Sequence, residues 1–239
     1  MNLRTIVFTS DDYLHCLPGF AYLHNKHIGE SQEAVVVCFK KGRSKLPDNF
    51  TKHSLGKQQD FTWSSAAIEF LSSIDDPLVL LMLEDYFLQH ADMGKIKALR
   101  DYMLAYPGIG KIDLTNDRLK VAHKPHGTWR GGMKIIRSAH NASYTFSLQA
   151  ALWRREFLLK YLDAEEDPWQ MEKGASRRFA DEAGRGRDKS IILGCEVPPM
   201  EYVNAIGGEG NKPRVWDRVK FPLDLWTELA ELGYVEDEE

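Results

Sequence analysis

Two adjacent carboxylates, Glu84 and Asp85, close the most apolar run in the chain, Leu78–Leu83 (LVLLML). Six residues that are apolar on both faces read as a central parallel strand. Carboxylates at the end of such a strand must be solvated, paired or metal-bound, because burying an ionised group alone is costly. A hard divalent ion suits them. Mg²⁺ takes one or two carboxylates together with phosphate oxygens and water, an arrangement that stabilises a departing diphosphate. On spacing alone, a cap on the next turn or pairing with surface lysines accounts for the two residues equally well.

A second constellation lies in SLQAALWRREFLLKYLDAEEDPWQMEKG. Trp153 and Trp169 bracket a dense acidic run, and Glu172 follows Pro168-Trp169. Aromatic faces pack on sugar rings, and a nearby carboxylate can take a proton from a hydroxyl. Core tryptophans beside a solvated acidic loop are the plainer reading, and on the residues alone the favoured one. The eight histidines form no HxH or HExxH pattern. Without a GxSxG, a Walker loop or a GxGxxG, the hydrolase, P-loop and dinucleotide readings lose their main support.

These groups need elements to carry them. Leu3–Thr9 reads as a buried strand ending at Ser10-Asp11-Asp12, Ala34–Phe39 as a second strand, and Ser54 as part of a weaker third. Helix-compatible spacing covers Tyr13–Asn25, interrupted at Pro18-Gly19, and Trp63–Ser73, capped by Thr62 or Ser64. A helix over Met93–Ala105 and a strand over Ile109–Leu114 follow. The alternation predicts an α/β fold with a mostly parallel sheet flanked by helices. Further on, His123–Ser143 reads as loop or short strands, Leu148–Leu162 as a largely buried helix, Lys173–Lys189 as a mobile loop or poorly packed helix, and Ser190–Val197 as a last strand. A basic loop at Lys40–Lys45, a glycine turn at Gly207–Gly210 and an acidic tail at Val235–Glu239 complete the chain.

A length of 239 residues suits one domain over 1–239, with a nucleotide-binding half at about 1–120 and an acceptor-side half at about 121–235. Net charge is −4, which gives no global reason to expect a nucleic-acid partner. Cys16, Cys38 and Cys195 are scattered, without a CxxC, so neither a disulfide framework nor a cysteine zinc site is expected. No apolar run is long enough to span a bilayer and no signal pattern is evident. Together these features predict a cytoplasmic protein.

Through LVLLMLEDYFL, SLQAALWRREFLLKYL and EDPWQME, the chain resembles a group of small GT-A-like glycosyltransferases of bacteria and phages. The likeness extends from TSDDYLHCLPGFAYLHNK through YMLAYPGIGKIDLTNDR to Glu172. It implies that Thr9, Ser10 and Asp11 contact the nucleotide of a nucleotide-sugar donor. Glu84-Asp85 takes the place of the usual Asp-x-Asp, implying a divalent metal, Mn or Mg, on the diphosphate. Glu172 resembles the acceptor base of inverting members, with Asp167 behind it, while Trp153, Trp169, Arg177 and Arg178 complete the donor-binding set. The basic stretch Arg177–Lys189 is expected to close over the diphosphate, and the acceptor to be a glycan hydroxyl. Two other readings compete. One is a phage-type enzyme acting on a hydroxymethylated DNA base, with Arg177, Arg178, Arg185 and Arg187 on phosphates; the other is a binding module without chemistry.

Overall fold

Short runs of Val, Ile and Leu set up the sheet. β1 (Arg4–Phe8), β2 (Ala34–Cys38) and β4 (Leu78–Leu83) expose almost no side chain, as strands covered on both faces must. Successive residues supply opposite faces: Leu80 and Met82 of β4 enter one core, Val79 and Leu81 the other. The computed structural model describes residues 3–40, 45–207 and 215–236. The expected basic loop at Lys40–Lys45, glycine turn at Gly207–Gly210 and acidic tail at Val235–Glu239 lie partly outside the described residues.

The sheet also contains β3 (Phe50–Ser54), β6 (Ile109–Asp113), β7 (His123–Trp129), β8 (Met133–Ser138), β9 (Ala151–Arg154) and β10 (Ile191–Cys195). Its order is β3-β2-β1-β4-β9-β6-β10-β8-β7. β9 runs against β4 and β6, and β8 runs against β10 and β7. The other pairings are parallel, so seven of the nine strands point the same way. On one face pack α1 (Leu17–His27), α3 (Met93–Ala105) and α6 (Leu223–Glu231); on the other pack α2 (Trp63–Ser72), α4 (Arg155–Tyr161) and α5 (Pro168–Gly184). The fold is thus α/β, a mostly parallel sheet flanked by helices. A smaller ribbon pairs β5 (Tyr86–Ala91) with β11 (Met200–Asn204) beside the sheet's carboxyl edge.

Several local expectations are corrected. Leu148–Leu162 is not one helix: its first part is β9, held between β4 and β6, and only its second part is α4. An apolar segment buried all round has no period that separates strand from helix. Lys173–Lys189 is a packed helix as far as Gly184, and only its end, 185–189, is turn and loop. Asp167 caps α5 by accepting the Gln170 N–H at 2.8 Å, Gln170 returns the bond, and Pro168 fits the first turn, where no N–H is needed. Pro18 likewise opens α1 rather than interrupting a helix. Gly19 is required there because a Cβ would sit 2.8 Å from the Phe87 ring. Ser190–Val197 is not the last strand, since β11, β12 (Ile206–Gly207) and β13 (Val215–Trp216) follow.

Candidate active site

The carboxyl ends of β1, β2 and β4 open into a cleft of about 430 Å³. An open parallel sheet places its ligand there, where strand ends and following loops diverge. Thr9 and Ser10 leave β1, Glu84 and Asp85 leave β4, and the first turns of α5 bring Trp169 and Glu172 over the opening. The inner end is apolar, walled by Val37, Phe39, Phe61 and Trp63, with the Phe39 and Phe61 rings 5.8 Å apart. The Ser10 hydroxyl is buried without a protein partner.

Four carboxylates line this space: Asp12, exposed at its rim, and Glu84, Asp85 and Glu172. Glu84 is buried, and burial followed by repulsion from Asp85 pushes its carboxyl well above the usual range. The Thr9 hydroxyl and Ser10 N–H oppose that shift by donating to it. Glu172 is also raised, first by burial, although its Oε1 accepts the Leu148 N–H at 2.7 Å. Asp85, Glu172 and Glu84 all act on the Tyr86 hydroxyl, which burial and these neighbours hold strongly protonated.

Glu84 is engaged by the first loop, and half-buried Asp85 stands beside it in the lining of the cleft. One carboxylate fits Mg²⁺ or Mn²⁺ in the mode that draws its other ligands from phosphate and water. Among the described residues, no group of three or more His, Cys, Asp or Glu is gathered in a way that could hold a metal.

Beneath the carboxyl end of β6 lies a buried ionic cluster. Lys111 Nζ is 2.7 Å from Asp113 and donates to the Ser147 carbonyl at 2.9 Å. Arg118 contacts Asp113 at 2.9 Å and donates to the Tyr144 carbonyl at 2.6 Å. The Ser147 hydroxyl donates to Asp117 at 2.6 Å. These bonds fasten the segment 144–149, and it is this segment that offers Leu148 N–H to Glu172.

A second, polar cleft of about 630 Å³ adjoins the first. Asn204 lines both. Tyr86 of the first and Tyr202 of the second form the partition, their rings 4.4 Å apart. Thr115, Asn116, Lys120, Gln149, Glu201 and Lys220 supply its polar lining.

Of the residues singled out from sequence, Thr9, Ser10, Glu84, Asp85, Trp169 and Glu172 line the first cleft, and the others do not. Asp11 instead ties the rim: its carboxylate accepts the Lys40 N–H at 3.0 Å, and its own N–H donates to Gln58, which does line the cleft. Trp153 is fully buried between the Lys111 ammonium and Phe146, so it has no face for a sugar. Asp167 is occupied as the helix cap.

Arg177 and Arg178 lie on α5 rather than a closing loop, about 12 Å along the axis from Trp169. Arg178 is committed to Glu166 at 2.6 Å and to the Tyr161 carbonyl. Gln58, Tyr86, Tyr202 and Asn204 were not singled out. Tyr86, Tyr202 and Asn204 come together only through the pairing of β5 with β11, more than 100 residues apart in sequence, while Gln58 is brought in by its bond to the Asp11 N–H; no local signal marks them.

No protein-family profile and no curated protein matches this chain. Solved structures do. A Staphylococcus aureus TarS fragment, residues 1–349, superposes with a TM-score of 0.50 at 14% identity, over 84% of this chain. This chain covers 59% of that fragment's length. A UDP-glucose pyrophosphorylase complexed with UDP-glucose also gives 0.50, at 9% identity, over 85% of this chain and 93% of that one. At these identities the likeness is one of fold.

Proposed function

We propose that the chain transfers a sugar from a nucleotide-sugar donor to an acceptor hydroxyl. The observation that carries this reading is the convergence of Thr9, Ser10, Asp85, Trp169 and Glu172 on one cleft at the sheet's carboxyl edge. A pyrophosphorylase sharing the fold binds UDP-glucose, which supports a ligand of that class.

In this reading the nucleobase enters the apolar end against Phe39 and Phe61, and the diphosphate lies over Thr9, Ser10 and Asp85. The sugar then faces Trp169, Glu172 and Asn204. The acceptor approaches from the second cleft, past the Tyr86–Tyr202 partition. Its hydroxyl oxygen bonds to the anomeric carbon, the carbon–oxygen bond to the diphosphate breaks, and the diphosphate leaves with the electron pair. Glu172 takes the hydroxyl proton. A carboxyl raised by burial is the stronger base for this, being closer to the operating pH. A base facing away from the leaving group inverts the anomeric configuration. Mn²⁺ or Mg²⁺ held by Asp85 supplies charge neutralisation on the diphosphate when bound.

The test is release of nucleoside diphosphate from a panel of nucleotide sugars, with and without divalent metal. Release that depends on Asp85 and Glu172 is expected. A protein that binds nucleotide sugars but releases nothing from any of them would be a binding module, and the transfer reading would fall.

A further inference from the structure

The mouth of the second cleft has an unusual border. Among the described large apolar residues the three most exposed are Val219 at 95%, Leu223 at 73% and Val197 at 67%. Val219 is the chain neighbour of Lys220 and Val197 of Pro198, and both Lys220 and Pro198 line the cleft. Leu119, also exposed, precedes Lys120, another lining residue. Val197 itself lines a neighbouring cleft with Arg130 and Lys134, and apolar side chains so exposed, next in the chain to residues that line a polar opening, mark a contact surface.

Cations accompany them. From Lys120 to Arg137 the chain has five Lys and Arg and no Asp or Glu, with Arg130 paired to Asp101 and Lys134 to Glu196. The β7–β8 hairpin starts three residues after Lys120, with β7 exposed along nearly its whole length at the sheet edge. Within it Lys124 stands directly opposite Arg137, a like-charge pairing that costs stability unless anions lie nearby. Among the described residues, no carboxylate forms an ion pair with Lys124 or Arg137. His126 feels the same field: burial first, then Arg137 and Lys124, lower its pKa.

The kind of partner follows from this mixture. The apolar side chains come from separate segments and are interleaved with Lys120, Arg218 and Lys220. The contiguous apolar area is therefore small beside the roughly 800 Å² per partner of a stable protein interface. A few apolar wedges among cations are instead what an anionic bilayer surface selects.

We propose that this rim docks on an anionic lipid surface. Val197, Val219 and Leu223 enter the interface, while Lys120 and the β7–β8 hairpin face phosphate headgroups. Resting on the transfer reading, the consequence is that the acceptor hydroxyl reaching the second cleft is carried by a lipid.

Co-sedimentation of the full chain with vesicles tests the docking. Binding is expected to vesicles containing phosphatidylglycerol and to weaken with salt; vesicles of phosphatidylcholine alone should bind far less. The double substitution Val219→Asp/Leu223→Asp should reduce bound protein by at least about tenfold, and Lys124→Glu should reduce binding to anionic vesicles. Neither Val219 nor Leu223 lines a cleft, so donor binding and melting temperature should be unchanged in the double variant. Failure of the wild-type chain to bind anionic vesicles would overturn the proposal, as would binding indifferent to these substitutions. Tight, salt-sensitive binding of duplex DNA at this face in place of vesicles would do so too, as would a dimer that the double substitution disperses. Absence of nucleoside diphosphate release would sink the transfer reading while leaving the vesicle result to stand by itself.

Discussion

Two clusters of buried charge lie on either side of Leu148, and they are built on opposite principles. Under β6, Lys111 and Arg118 face Asp113 and Asp117, and carbonyls of the segment 144–149 accept from both cations. Burial pushes Lys111 down and Asp113 up, and each is opposed by the partner's charge. In the first cleft, Glu84, Asp85 and Glu172 share one space, and burial raises both Glu84 and Glu172. The first cluster is balanced within the protein and fixes a backbone segment. In the second, burial disfavours the ionised form of both glutamates and the Asp85 charge adds to this at Glu84, a cost that a transferred proton would relieve. Perturbed carboxylates gathered at one cleft mark where a ligand goes.

The largest effect should come from breaking the balanced cluster. Lys111→Met leaves Asp113 buried with Arg118 as its remaining partner, and removing one member of a buried pair typically costs about 3–5 kcal/mol. Urea denaturation at neutral pH measures it. Adding Asp113→Asn should recover part of the loss. If Lys111→Met changes stability by less than about 1 kcal/mol, the cluster is not the structural fastening described.

Glu172→Gln should do the reverse, leaving stability nearly intact and striking turnover. The amide keeps an oxygen for the Leu148 N–H but cannot take a proton. Donor affinity should persist while turnover falls at least about a hundredfold. Near-normal turnover would remove Glu172 from the chemistry and erase the functional half of the contrast.

The sheet was legible because its parallel strands are short, β-branched and bounded by polar turns. The same pattern marked the strand ends, which is why Thr9, Ser10, Glu84 and Asp85 fall together on one cleft. Glu172 was picked out by its place after Pro168-Trp169, where a solvated acidic loop was the favoured reading, and family likeness gave it the role of base. β9 was not legible: Leu152 and Trp153 are covered on both sides by the sheet and on both faces by helices, and a helix core would accept the same residues. Trp153 shows the limit of reading residue type without direction, since a tryptophan that could stack on a sugar is instead packed over Lys111. The stretch Lys173–Lys189 misled over most of its length for a related reason. Its glycines suggested a loop, but Gly174 sits inside α5, where a Cβ would come within 2.0 Å of the Glu166 carboxylate.

A smaller effect is expected at Asp85. Asp85→Asn removes the proposed metal-holding carboxylate without emptying space. Metal-dependent donor binding should weaken by more than about tenfold, with the melting temperature unchanged or slightly raised. Calorimetric titration of nucleotide sugar with Mn²⁺ present or chelated separates the metal-dependent part. Donor affinity in excess chelator equal to that with Mn²⁺ would mean the carboxylates do not work through a metal.

The smallest effect, and the one that tests the cost of ionisation itself, is at Glu84. Its folded pKa is raised above the unfolded value, first by burial and then by Asp85. The sign of the linkage follows. Below the unfolded pKa the group is protonated in both states and imposes no penalty. As pH rises through the folded pKa the native state must give up a proton it holds more tightly than the unfolded chain does, and stability is lost. Wild type should therefore lose stability between mildly acidic and neutral pH through this residue. Glu84→Gln, which keeps an acceptor for Thr9 and Ser10 without the charge, should remove that loss. At neutral pH the variant should be more stable by about 0.5–2 kcal/mol, the gain typical of relieving a site kept unfavourable for function, and the difference should shrink as pH falls toward the usual carboxylate range. Thermal melts of both proteins across that window measure it. A Glu84→Gln variant that is less stable than wild type at neutral pH would show that the first-loop hydrogen bonds outweigh burial. Glu84 would then belong with the balanced cluster, leaving Glu172 as the carboxyl that burial holds raised in the cleft.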